Sequence, residues 1–211
     1  MTGVRERILN ALENVSVLAY LNILWIIFTL LGLIVGGFFP ATVAMYTLIR
    51  RWLQTAELES PFKAFWQEYK KHFWSANLYG YIFFLTGTVL VVDLMILASL
   101  GTTFGYIVTS ILTTFTIVFL LMSVFCLPVF VHFKGKPLQL VRKSLQLAIP
   151  CLPYALLSLL LTAVLLLILF FVPAAGVFFS GSIVALLNMK LFLSAIQRLE
   201  QKHVSSEVSS L

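Results

Sequence analysis

Asp93 is the acidic residue set deepest in an apolar stretch of this chain, within the run VLVVDLMIL. An ionisable side chain in hydrocarbon is costly and marks a functional site by default, here a proton acceptor or a solute contact. A hydroxyl-rich stretch follows at Thr109, Ser110 and Thr113, extended by Thr114 and Thr116. If the two helices involved form a hairpin turning near Gly101 and Thr102, positions equidistant from the turn share a depth, and Asp93 faces Thr109, Ser110 and Thr113. These four residues are the candidate polar intramembrane site. A structural reading stands beside it. At about 1.5 Å per residue from Trp74, Asp93 lies roughly 28 Å across, near the far interface. Threonine hydroxyls in spans commonly bond their own i−4 carbonyl or link neighbouring helices.

No other constellation for chemistry is visible. Catalysis usually shows as clustered carboxylates, a nucleophile beside a base, or a glycine-rich phosphate loop, and the sequence contains none of these. His72, His132 and His203 are scattered, without the spacing of metal ligands. Cys126 and Cys151 are expected to be reduced packing residues. The expectation is a protein that is not an enzyme and carries no cofactor and no metal.

The elements that must hold Asp93 and the hydroxyls follow from composition. Of 211 residues, 61% are hydrophobic and 10% charged, with a mean hydropathy of +1.03. No soluble domain hides that much apolar surface. A spanning helix needs about 20 apolar residues, and such stretches account for most of the chain. The expected fold is all-α: a six-helix transmembrane bundle forming one domain, with spans near 15–36, 40–53, 74–100, 105–132, 149–171 and 174–197. The first run is too long for a signal-peptide core and reads as a retained helix. The second is marginal in length. Counting it as a crossing places all 14 Lys and Arg on one side, which the positive-inside bias makes the cytoplasm, with both termini there too. The net charge of +6 then orients the protein and meets anionic lipid, with no nucleic acid as partner.

Two short amphipathic segments are expected to lie in the cytoplasmic interface, near 61–73 and 137–148. In the first, Phe62, Phe65, Trp66 and Tyr69 recur at helical spacing against Lys63, Gln67, Glu68, Lys70 and Lys71. In the second, Leu138, Val141, Leu145 and Ala148 oppose Gln139, Arg142, Lys143 and Gln146. Gly32 and Gly36 form a G-x-x-x-G pair, which permits close helix approach within the chain or with a partner. Gly32, Gly36, Phe62, Phe65, Trp66 and Tyr69 are therefore the candidate packing or partner contacts.

The run NILW from Asn22 to Trp25, the run GGFFPATVAMY from Gly36 to Tyr46, then Arg50, Trp52 and the segment from Phe62 to Asn77 resemble the YesL-like family of bacterial integral membrane proteins. The most specific pieces are Pro40, Ala41 and Thr42 with Ala44 and Tyr46, and the pattern Phe65, Tyr69, Lys70, Phe73. The resemblance is close over the first third and rests on hydropathy and span count beyond it. It implies a multi-pass protein of the bacterial cytoplasmic membrane, whose relatives are typically encoded beside carbohydrate ABC importers, and it supplies no catalytic residues. The function this implies is an accessory membrane subunit that packs against the membrane-spanning subunits of a sugar ABC importer. A small solute transporter or channel, and a membrane scaffold that interacts with lipid, are the alternatives.

Overall fold

The computed structural model describes residues 2–99, 102–133 and 135–209, with side chains from Leu12 to Lys202. Among the described residues it is all-helical: α1 (Thr2–Leu31), α2 (Phe38–Thr55), α3 (Pro61–Ser99), α4 (Thr103–His132), α5 (Pro137–Ala148), α6 (Leu152–Phe171) and α7 (Pro173–Ser209). Five of them are long and apolar enough to cross a membrane: α3, α4, α6, α1 from Leu12, and α7 as far as Lys202. Helix α2 is not among these five. Its 18 residues reach about 27 Å at about 1.5 Å per residue, close to a hydrocarbon core of about 30 Å, and it is polarity that sets it apart, with Arg50, Arg51 and Gln54 in its last turns.

Local chemistry sets most of the ends. Pro61 and Pro137 occupy first-turn positions, where a missing N–H costs nothing. The Thr102 hydroxyl accepts from the Gly105 N–H at 3.1 Å and caps α4, and the Gln139 side chain accepts from the Lys136 N–H at 3.2 Å at the start of α5. The expected turn at Gly101 lies outside the described residues.

Two expectations change. The segment 61–73 is no separate interfacial helix, because α3 runs unbroken from Pro61 to Ser99; nothing between Tyr69 and Ala76 is a helix breaker. At about 58 Å it is far longer than the hydrocarbon is thick, so its charged first turns lie outside the apolar part that begins at Trp74. Helix α1, expected to reach residue 36, stops at Leu31. Leu33 (φ 56°) and Ile34 (φ 64°) adopt left-handed backbone, and the Ile34 N–H donates to the Thr29 carbonyl at 2.9 Å. That arrangement ends a helix and reverses the chain.

The contacts divide the chain into two compact units. The first holds α1, α2, α3 as far as Phe73, and Leu160–Lys190 of α6 and α7. Its centre is α2, in which every residue from Pro40 to Tyr46, with Leu48 and Ile49, is buried. The second holds Trp74–Leu159 and α7 from Leu191. There Leu140, Ser144 and Ala148, spaced by four, form the buried stripe of α5, and Phe125 and Phe192 meet edge-to-face at 5.5 Å.

Candidate functional site

The first unit contains a buried polar core that hydropathy conceals. Asn22, near the middle of α1, is wholly buried. Its amide faces the backbone of α7: Nδ2 donates to the Val177 carbonyl at 2.7 Å, while Oδ1 accepts from the N–H groups of Gly181 and Ser182, both at 3.0 Å. In an ordinary helix Val177 is the acceptor for Gly181, so the Asn22 amide lies across one rung of the α7 ladder. The approach needs a residue without Cβ. A Cβ on Gly181 would come 3.0 Å from Asn22 Oδ1 and 3.3 Å from Met45 Cε.

A second polar chain joins three elements. The Thr162 hydroxyl of α6 donates to Asn188 Oδ1 at 3.1 Å, and Asn188 Nδ2 of α7 donates to the Tyr46 hydroxyl of α2 at 3.3 Å. One turn before Tyr46, Thr42 accepts from the Trp25 indole N–H at 2.9 Å and donates to the Phe38 carbonyl at 2.6 Å. Amides and hydroxyls removed from water cost several kcal/mol if unpaired. Apart from the Thr42 bond to its own helix, these groups bond across to a neighbouring helix, so the core joins α1, α2, α6 and α7 and these bonds satisfy it without a bound solute.

Around this core, Phe28 of α1 is enclosed by the first turns of α3, with ring centroids at 5.0 Å to Phe65, 5.2 Å to Tyr69, 5.5 Å to Trp66 and 5.8 Å to Phe62. The opposite side of α3 carries Glu68, which meets Arg51 of α2 at 3.3 Å, His72 at 3.4 Å and Lys71 at 3.5 Å. The His72 hydrogen bond, with the cations Lys71 and Arg51, holds the Glu68 carboxyl below its ordinary range against an opposing desolvation.

Asp93 and the hydroxyls are not joined by hydrogen bonds. Asp93 is exposed on α3 among exposed Val91, Val92, Met95 and Ile96, and no hydrogen bond or ion pair reaches it among the described residues. Ser110 bonds the Tyr106 carbonyl, Thr113 that of Thr109, Thr114 that of Ser110 and Thr116 that of Leu112, each within its own helix. Only the Thr109 hydroxyl of that stretch is buried and without a partner among the described residues. No hydrogen bond therefore joins Asp93 to the hydroxyls expected to face it; Ser110 and Thr113 take i−4 carbonyls, which a helix offers without tertiary contact.

Gly32 and Gly36 share no helix face, because α1 ends before them. Gly32 instead packs against Gly37: a Cβ there would strike the Gly37 backbone and stand 2.6 Å from the Tyr69 hydroxyl. The close approach is internal. Of the aromatic candidates, Phe65 and Tyr69 are buried against Phe28, and Phe62 and Trp66 keep an exposed side. Asn22, Tyr46, Thr162, Ser182 and Asn188 were not among the expected site residues. The legible signal for Asn22 and Asn188 is an amide inside an apolar helix, which in lipid demands a partner.

Residues 18–94, which take in the second half of α1, all of α2 and most of α3, match the family described as protein of unknown function, DUF624. The chain is 34% identical over 199 residues to the uncharacterized protein YteU of Bacillus subtilis, covering 94% of this chain and 89% of that protein. It is 32% identical over 189 residues to YesL of the same organism, covering 88% of this chain and 87% of that protein. It is 29% identical to YesV over 63% of this chain and 64% of that protein. No solved structure matches the chain. Identity of this degree over nearly the full length, with Asn22 and the whole of α2 inside the matched region, makes the chain a member of the DUF624 family of YesL-like proteins.

Proposed function

We propose that this protein is an accessory integral membrane subunit that assists a carbohydrate ABC importer by packing against its membrane-spanning subunits. The observation that carries this reading is the contrast between two sets of polar residues. The buried amides Asn22 and Asn188 are consumed in tying helices together, which suits a rigid scaffold better than a solute path. Asp93 stands exposed among apolar side chains with its carboxylate unclaimed, and a helix in lipid gains from a partner that supplies the missing hydrogen bond. The outer half of α3 thus replaces Gly32 and Gly36 as the proposed partner face, with exposed Phe62 and Trp66 contributing at the other end of the same helix. The family's association with sugar importers, implied by the resemblance, names the partner class.

In this reading the protein crosses the bacterial cytoplasmic membrane six times, with both termini in the cytoplasm. Helix α2 serves as the sixth crossing despite its polarity, since a helix enclosed by protein need not present an apolar surface to lipid.

Co-purification in mild detergent tests the function. Recovery of a sugar permease with the wild-type protein, and its loss with Asp93→Leu at unchanged thermal stability, is the expected result. A deletion strain that imports every tested sugar normally overturns the reading in favour of a scaffold. Solute flux from the purified protein in liposomes overturns it in favour of a transporter, which the Thr109 hydroxyl, buried without a partner among the described residues, would support.

A further inference from the structure

Where α2 ends and α3 begins, two cavities adjoin at one residue. The first, of about 550 Å³, is polar and is walled by Arg51, Glu57, Glu59, Lys63 and Gln67. The second, of about 360 Å³, is apolar and is walled by Val17, Tyr20 and Leu21 of α1 and by Pro61. Leu58 lines both. Ser16 also borders the apolar groove, but its hydroxyl is spent on the Leu12 carbonyl at 2.8 Å. A polar basin and an apolar groove that share Leu58 as a wall match the two halves of an amphiphile.

The segment between the helices is set in a defined conformation. Ala56 (φ 59°) and Ser60 (φ 43°) both adopt the left-handed region that side chains other than glycine disfavour. The Thr55 hydroxyl accepts from the Glu57 N–H at 3.4 Å and lies within donating distance of two carbonyls, Glu57 at 2.9 Å and Arg51 at 3.0 Å. Together these place Glu57 and Glu59 on the polar side and Leu58 at the junction. Arg51 is anchored by Glu68 at 3.3 Å and still keeps its side chain 48% exposed, so part of the guanidinium remains available.

The charges select the headgroup. The basin offers two cations, Arg51 and Lys63, and two carboxylates, Glu57 and Glu59. A purely anionic headgroup would share the basin with Glu57 and Glu59 and be repelled by them, whereas a zwitterion satisfies both pairs. Quaternary ammonium groups are recognised by aromatic cages, and no aromatic side chain lines the basin; a primary ammonium can instead donate to carboxylates and to the Gln67 amide. A sugar or a soluble phosphate has no use for the groove. We infer that this junction binds a glycerophospholipid with a phosphate and a primary ammonium, of the phosphatidylethanolamine class. Arg51 and Lys63 hold the phosphate, Glu57 and Glu59 the ammonium, and an acyl chain passes Leu58 into the groove against Val17 and Tyr20. The inference stands independently of the accessory-subunit reading.

The test is native mass spectrometry of the full chain in mild detergent, titrated with equal concentrations of dioleoyl phosphatidylethanolamine, phosphatidylglycerol and phosphatidylcholine. The wild type should retain phosphatidylethanolamine at least about fivefold over the other two, a difference of about 1 kcal/mol. The double variant Glu57→Gln/Glu59→Gln should lose that preference and bind phosphatidylglycerol as well or better. Leu58→Trp, which fills the junction, should weaken retention of phosphatidylethanolamine by a similar factor. Equal retention of the three lipids by the wild type overturns the inference. So does a preference that persists in both variants.

Discussion

Asn22 of α1 and Gly181 of α7 are fitted to each other. The Gly181 N–H donates to Asn22 Oδ1 at 3.0 Å, and the glycine's bare Cα is what lets the amide reach the helix backbone. Asn22→Leu keeps the volume and removes three hydrogen bonds, each worth about 0.6–2 kcal/mol in a membrane interior, so a loss of about 2–6 kcal/mol is expected. Thermal unfolding in detergent measures it. Gly181→Val should lower stability at least as much, and a neutral Asn22→Leu would show the amide to be dispensable.

The two glycines of the α1–α2 turn should separate cleanly. A Cβ at Gly32 meets the backbone of Gly37, which cannot yield as a flexible side chain can, whereas at Gly36 the tightest neighbour is the Gly32 carbonyl at 3.1 Å. Gly32→Ala should therefore cost about 3 kcal/mol or more through backbone displacement and Gly36→Ala clearly less, read from the fraction of folded protein by size-exclusion chromatography and from thermal midpoints. A helix–helix dimer motif would make the two substitutions equivalent.

Tyr46 and Thr162 meet through Asn188, which donates to one and accepts from the other. Tyr46→Phe and Thr162→Val should each cost about 1 kcal/mol, and the double variant less than the sum, since residues in one network couple by about 0.5 kcal/mol or more. Additive losses in a double-mutant cycle would mean that the two bonds act independently.

Glu68 gives the protein a pH dependence of known sign. Its folded pKa lies below the ordinary value of 4.5, chiefly through the His72 hydrogen bond. The stabilisation is present above that ordinary value and is lost as pH falls through the lower folded value. On acidification from pH 5 the thermal midpoint of the wild type should fall more steeply than that of Glu68→Gln; parallel curves would remove Glu68 as the cause.

Labelling tests the orientation that charge bias implies. Single cysteines introduced at Glu57 and at Lys136, in a background lacking Cys126 and Cys151, should resist a membrane-impermeant maleimide in intact cells and react after lysis. Reaction from outside at either position would reverse the topology or change the number of crossings.

The physics of burial explains which features were legible in the sequence. Runs of apolar residues must become helices in lipid because each backbone polar group has to be satisfied within its own segment. Hence α3, α4, α6 and α7, the proline starts of α3 and α5, and the family resemblance carried by Gly36 to Tyr46 all follow from residue order. The continuity of α3 through Phe73 was hidden because an amphipathic pattern followed by an apolar one reads as two helices, and no rule of periodicity says whether the axis bends between them.

The partners of polar residues were decided only by tertiary structure. Asp93, Thr109, Ser110 and Thr113 look like one site in sequence because they share a depth, yet the hydroxyls of Ser110 and Thr113 close onto their own helix and Asp93 stays exposed. Asn22 and Asn188 are legible as amides that need partners in an apolar helix, but only the fold shows that those partners are α7, α6 and α2 within the first unit. The Gly32 contact moved from a helix face to a turn because two left-handed residues, Leu33 and Ile34, end α1 one residue before it. Hydropathy fixes that a helix exists and how deep each residue lies, since both depend on one segment and the solvent. It cannot fix rotation about the helix axis, and that rotation, set by packing against other helices, determines whether a polar side chain meets lipid, its own backbone or a neighbour.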